Sequence, residues 1–177
     1  MDNTALLTKF YTAFKNKDSK TMEECYHSDI TFEDPAFGVL KGERAGKMWE
    51  MLCISGKDMT LDFSNIEANE NTGKAHWEAH YTFSATGKKI HNIIDAQFEF
   101  KDGKIIKHTD SFSFKSWSKQ AFGVLGTLIG GTSFFKTKFN KQANSLLDKH
   151  IAKQQLNALS LFSVFHFIFS CSYNQSI

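Results

Sequence analysis

Lys88-Lys89-Ile90-His91-Asn92-Ile93-Ile94-Asp95-Ala96-Gln97-Phe98-Glu99-Phe100-Lys101-Asp102-Gly103 reads as one long strand running into a tight turn. Ile and Phe favour extended backbone, and Asp-Gly suits the turn of a two-residue hairpin. Residues 104–115 return as the last strand. Working backwards, Thr86-Gly87 marks a second turn and Asn71-Thr72-Gly73 a first. Residues 74–85 alternate between these turns, with Trp77, Ala79, Tyr81 and Phe83 on one face. Residues 58–69 alternate through Leu61, Phe63 and Ile66. Four strands joined by hairpins form an antiparallel meander.

Upstream the texture is helical. Leu6, Leu7, Phe10, Tyr11 and Phe14 recur at helical spacing over 3–16, with Asn3 or Thr4 as cap. Asp18 caps a short helix over 18–26. A strand at 29–33 ends where Pro35 forces Asp34 to be extended. A loop at 36–42 leads to a helix over 43–55, which buries Met48, Trp49, Met51 and Leu52 and closes at Gly56. Helices followed by a meander make an α+β domain over residues 1–115. Residues 116–155 form a helical extension packed on that domain, and the apolar segment 121–131 reads as a packing lid. The tail 156–177 is apolar and free of charge through 171, short for a membrane span. It is open to three readings: a docked helix or strand, an unrelated extension, or a membrane anchor.

The bulk composition narrows the function. With 177 residues the chain can bury a real core. A formal charge of +2, with lysines spread along the chain, gives no footprint for nucleic acid. Cys25, Cys53 and Cys171 show no metal-ligand spacing and read as thiols of a reducing compartment. No basic-then-apolar leader follows Met1, so a cytoplasmic location is expected.

Asp34 lies in Ile30-Thr31-Phe32-Glu33-Asp34-Pro35, and Asp95 lies between Ile94 and Ala96. A carboxylate in such surroundings either turns to solvent or is held in an apolar cavity with a raised pKa. By parity His91, Asp95 and Gln97 share one face of their strand, and His108, Asp110, Phe112 and Phe114 share one face of the next. A register that puts both sets on one side makes Asp34, Asp95, His108 and Asp110 the candidate catalytic groups. His91, Trp77, Tyr81, Phe83 and Phe112 are then the candidate ligand-binding wall. His76 and His80 fall on the opposite face, and no metal site is expected from the histidines.

Residues 3–115 resemble the nuclear transport factor two-like superfamily, in its SnoaL-like and ketosteroid-isomerase-like branch. The resemblance rests on the helix-helix-strand opening, on Asp18-x7-Tyr26-x7-Asp34-Pro35, on Gly42 opening the third helix, and on the meander. It implies helices packed as a cone on a curved antiparallel sheet. Phe32-Glu33-Asp34-Pro35 resembles the isomerase stretch that carries the general base, and Asp95 stands eight residues before Gly103, as the isomerase's oxyanion-hole Asp does. The isomerase's oxyanion Tyr falls on Phe10, with Tyr11 beside it and rotated by about 100° on the helix. His108 and Asp110 replace apolar wall residues, so the cavity is more polar than a steroid pocket.

The resemblance implies cofactor-free proton transfer, as an isomerase, lyase or hydrolase, on a small apolar molecule carrying a carbonyl or oxygen function, in a protein that pairs as a homodimer. The alternative is a non-catalytic ligand-binding or interaction module of the same fold.

Overall fold

A computed structural model describes residues 2–173, with side chains described to Asn157. Three helices open the chain: α1 (Asn3–Lys15), α2 (Ser19–Cys25) and, after two strands, α3 (Glu43–Ser55). Six strands follow the order β1 (Tyr26–Asp34), β2 (Gly38–Lys41), β3 (Thr60–Ala68), β4 (Thr72–Phe83), β5 (Lys88–Lys101) and β6 (Lys104–Ser111). The extension comprises α4 (Phe114–Phe122), α5 (Val124–Ile129) and α6 (Ser133–Tyr173). This is an α+β fold, with the amino-terminal helices packed on one face of the sheet.

The sheet is mixed. Its order is β2-β1-β6-β5-β4-β3, and β1 runs parallel to β6 while every other pair is antiparallel. The expected loop at 36–42 contains β2, a short edge strand pairing Phe32 with Leu40. Asp34 is directly opposite Gly38, so the two strands close a tight loop around its carboxyl.

Local chemistry sets the helix ends. Asp2, not Asn3 or Thr4, caps α1 by accepting the Thr4 N–H. Asn3 instead donates to the Asn69 and Glu70 carbonyls, tying α1 to the β3–β4 turn. Asp18 accepts the Thr21 N–H at 3.1 Å and caps α2 as expected. Asp102 and Gly103 both take positive φ, 52° and 71°, which matches the right-handed twist of the strands they join.

The core lies between the helices and the inner sheet face. Leu7, Phe10, Tyr11, Phe14, Met22, Met48 and Trp49 meet Phe32, Trp77, Ile94, Phe98 and Ile105 there. Cys25 and Cys53 are buried free thiols; Cys171 lies outside the described side chains. A second cluster of Ile90, Phe114, Trp117 and Ala121 continues the core, with Tyr81, Phe83, Phe112, Phe135 and Phe139 against it. Thus α4 packs down as a lid, whereas Val124, Leu125 and Leu128 of α5 are exposed. The backbone of α6 stays helical through the apolar tail to Tyr173. Among the described residues no helix is long and apolar enough to cross a membrane.

Candidate functional site

Asp34 ends β1 and turns back into its own loop. Its Oδ1 accepts the backbone N–H groups of Ala36 (2.9 Å) and Phe37 (2.5 Å). Burial pushes its pKa up to about 7; the Phe37 and Ala36 N–H groups oppose that rise, and the charge of Asp110 adds to it. Asp110, on β6, lies close enough for its charge to act on Asp34 and is itself buried, whereas Asp34 is half-buried.

Asp110 is the end of a hydrogen-bonded chain whose direction follows from donor chemistry. An indole N–H can only donate. Trp49 Nε1 donates to the Tyr26 hydroxyl oxygen at 2.7 Å, so the Tyr26 hydrogen is directed to His108 Nδ1, 2.8 Å away. His108 then carries its proton on Nε2 and donates to Asp110 Oδ1 at 3.0 Å. Trp77 Nε1 donates to the same oxygen at 3.2 Å. Burial holds the Tyr26 phenol well above its usual pKa, which keeps its hydrogen available to His108.

Aromatic rings enclose this chain. The His108 imidazole is fully buried, with Phe98 at 4.3 Å and Trp49 nearly parallel at 5.9 Å between centroids. The Tyr11 hydroxyl also points into this interior. It is buried, has no hydrogen-bond partner, and feels the charge of Asp110; burial is the main cause of its strongly raised pKa. A buried hydroxyl without a partner is costly, so an oxygen acceptor from a ligand or water belongs beside it. Tyr81 feels the charge of Asp34, and its hydroxyl accepts the Trp117 Nε1–H at 2.8 Å.

The extension closes the site from the Asp34 side. Asn140 of α6 donates to the Pro35 and Ala36 carbonyls, and Asn144 donates to Phe37 O at 2.8 Å. Arg44 of α3 reaches Asn144 and forms an ion pair with Asp148. The loop that holds the Asp34 carboxyl is thereby fixed from outside.

The structure places His108 and Asp110 in hydrogen-bond contact and Asp34 within reach of the Asp110 charge, with Trp77, Tyr81, Phe83 and Phe112 on the same side of the sheet. It does not bring Asp95 or His91 there. The Asp95 side chain is 80% exposed on the outer face and pairs with His76 Nδ1 at 2.8 Å. His91 is likewise outward, 2.5 Å from Glu78. The cause is one residue. Lys101 pairs with Lys104 and Phe100 with Ile105, but after an irregularity Glu99 pairs with Lys107. Ile106 is the extra residue, so Asp95 sits opposite Ser111 and Ala96 opposite Asp110. A one-residue slip moves every later side chain to the other face.

Tyr11, Tyr26 and Trp49 join the candidate site, although the sequence reading set Tyr11 aside as rotated on its helix and gave Tyr26 and Trp49 no site role. Tyr26 had a signal in its fixed spacing between Asp18 and Asp34. Tyr11 had one in the two adjacent aromatics of α1, both of which prove to be buried. A groove of about 500 Å³ elsewhere on the sheet is lined by Glu67, Lys74, Gln97, Glu99, Lys107 and Thr109 and includes none of the interior acids.

The description "SnoaL-like domain" matches residues 7–108. The chain belongs to the SnoaL-like family. No curated protein sequence matches it. Among solved structures this SnoaL-like chain is similar to a candidate polyketide cyclase from Xanthomonas campestris (20% identity, 67% of this chain and 95% of that one, TM-score 0.56). It is similar to a protein of ketosteroid-isomerase-like fold from Catenulispora acidiphila, in complex with trimethylamine (12% identity, 66% and 91%, TM-score 0.58). It is also similar to an LEH-like epoxide hydrolase from M. tuberculosis (18% identity, 74% and 98%, TM-score 0.55). At these identities the likeness establishes the ketosteroid-isomerase-like fold and leaves the reaction to the site.

Proposed function

We propose that this SnoaL-like domain performs cofactor-free proton transfer on a small apolar molecule bearing a carbonyl or other oxygen function. The observation that carries the reading is a half-buried Asp34 that feels the charge of the buried Asp110, which acts in turn on the Tyr11 hydroxyl, a group with no hydrogen-bond partner among the described residues. Asp34 is the proton carrier, because a carboxyl with a pKa of about 7 gives and takes protons efficiently near neutrality. Tyr11, kept as a neutral phenol by burial, donates its hydrogen to the oxygen on which negative charge develops. His108 and Trp77 hold Asp110 in place through Oδ1, so that Oδ2 positions the substrate or relays its proton. Trp77, Tyr81, Phe83 and Phe112 form the apolar wall. The fold's presence in a candidate polyketide cyclase and an epoxide hydrolase supports an enzymatic reading.

The test is deuterium exchange of α-protons on a panel of apolar cyclic ketones, followed by NMR. Asp34→Asn is expected to lower exchange by about 10²–10⁴-fold, and Tyr11→Phe by about 10²–10³-fold. A second reading, a binding module without turnover, is favoured by the seal that α6 places over the Asp34 loop. Ligand binding with no exchange on any ketone, in wild type and Asp34→Asn alike, would select it.

A further inference from the structure

The outer face of the sheet carries its own concentration of chemistry, remote from the interior acids. His80 of β4 and His91 of β5 stand directly opposite each other in the antiparallel register. Their rings stack, with centroids 4.0 Å apart and planes 14° from parallel. Glu78 lies two residues along the same face of β4 and brings Oε2 to 2.5 Å from His91 Nε2. One donor atom from each of these three residues lies within 4.8 Å of the others.

We propose that Glu78, His80 and His91 form a binding site for a divalent transition-metal ion, with Zn²⁺ the best match to two imidazoles and a carboxylate. Tetrahedral zinc with bonds of about 2.0–2.1 Å needs its donors about 3.4 Å apart. The side chains are exposed or half-buried, so small rotations of the two rings and the carboxylate close the remaining distance. Three protein donors leave a fourth position for water or an external ligand.

The surroundings support the three donors as a metal site's outer layer does. His76 Nε2 lies 3.3 Å from the second oxygen of Glu78, and His76 Nδ1 lies 2.8 Å from Asp95 Oδ1. This Asp–His–Glu chain orients the Glu78 carboxylate. The backbone is also held. Beyond the end of β6 the edge of β5 has no strand partner, and Gln120 of α4 takes its place, accepting the His91 N–H at 2.7 Å and donating to the His91 carbonyl at 2.9 Å. The nearby ammonium of Lys89 is engaged by Asp58 and Thr82. The sequence gives no local ligand motif here because the donors come from two strands and meet only through the hairpin register.

Isothermal titration of the full chain with zinc chloride near neutral pH tests the site. One Zn²⁺ per chain is expected, and His91→Ala and Glu78→Gln should each weaken binding at least about tenfold. His27→Ala, at a histidine paired with Asp29 and Asp102 away from this cluster, should leave it unchanged. Cobalt substitution adds a visible spectrum that His80→Ala should alter. No saturable binding up to about 1 mM zinc, or equal affinity in wild type, His91→Ala and Glu78→Gln, would overturn the proposal. All the substituted positions face outward, and circular dichroism confirms that each variant is folded.

Discussion

Replacing Asp34 by Asn should stabilise the protein at alkaline pH and do so much less in mild acid. The folded state raises the Asp34 pKa from 3.8 to about 7, chiefly by burial. It therefore holds that proton more tightly than the unfolded chain does. Folding carries no ionisation cost from this group below about pH 4, loses stability progressively between about pH 4 and 7, and bears the full cost above that range. Three pKa units at about 1.4 kcal/mol each set an upper bound of about 4 kcal/mol. Asn keeps the oxygen that accepts the Ala36 and Phe37 N–H groups but cannot ionise. Urea denaturation of both proteins at about pH 5 and pH 8.5 measures the effect. The variant should gain about 2–4 kcal/mol over wild type at the higher pH and at most about 2 kcal/mol, less than half as much, at the lower. Titrating groups remote from Asp34 are common to both proteins and cancel in the comparison. An equal difference at the two pH values, or a wild type favoured at high pH, would refute a desolvated Asp34.

Three further outcomes follow from the same interior. Asp110→Asn removes a charge that raises the Asp34 pKa, so carboxyl NMR should show Asp34 titrating lower, while burial, the larger cause, keeps it above an ordinary aspartate. Tyr26→Phe strands both the Trp49 indole N–H and His108 Nδ1 in the core, and chemical denaturation should show a loss of about 2–4 kcal/mol. Asn144→Ala removes the bond to Phe37 O and the contact with Arg44; it should cost about 1–2 kcal/mol and speed hydrogen exchange at the Ala36 and Phe37 amides.

Much of this fold is legible because its signals are local. Asp-Gly at 102–103, Gly87 in the second turn, the Asp18 cap and the Pro35 stop each act within a few residues. The parallel pairing of β1 with β6 joins segments far apart in the chain and leaves no short-range mark. β2 is too brief, and too rich in ordinary loop residues, to announce itself.

The site divides the same way. Asp34 is legible because Pro35 and the apolar flank make its placement a local matter. Asp95 is misread because its face depends on the extra residue at Ile106, across the hairpin. The even positions Ile90, Ile94, Ala96 and Phe98 did carry the correction, since all four are buried and put the odd positions outside. The Tyr26–His108 bond joins residues 82 apart in the chain and is a product of packing rather than of spacing. The stacked His80 and His91 were readable in principle, as positions equidistant from the second hairpin loop.

The most direct test of the account is the ¹³C carboxyl titration of Asp34 followed by NMR across acid and neutral pH. A midpoint near 7 is predicted, with the resonance still responding to protonation above pH 6. A midpoint close to that of a solvated aspartate, about 4, would show a hydrated carboxyl and remove the proton carrier on which the functional reading depends.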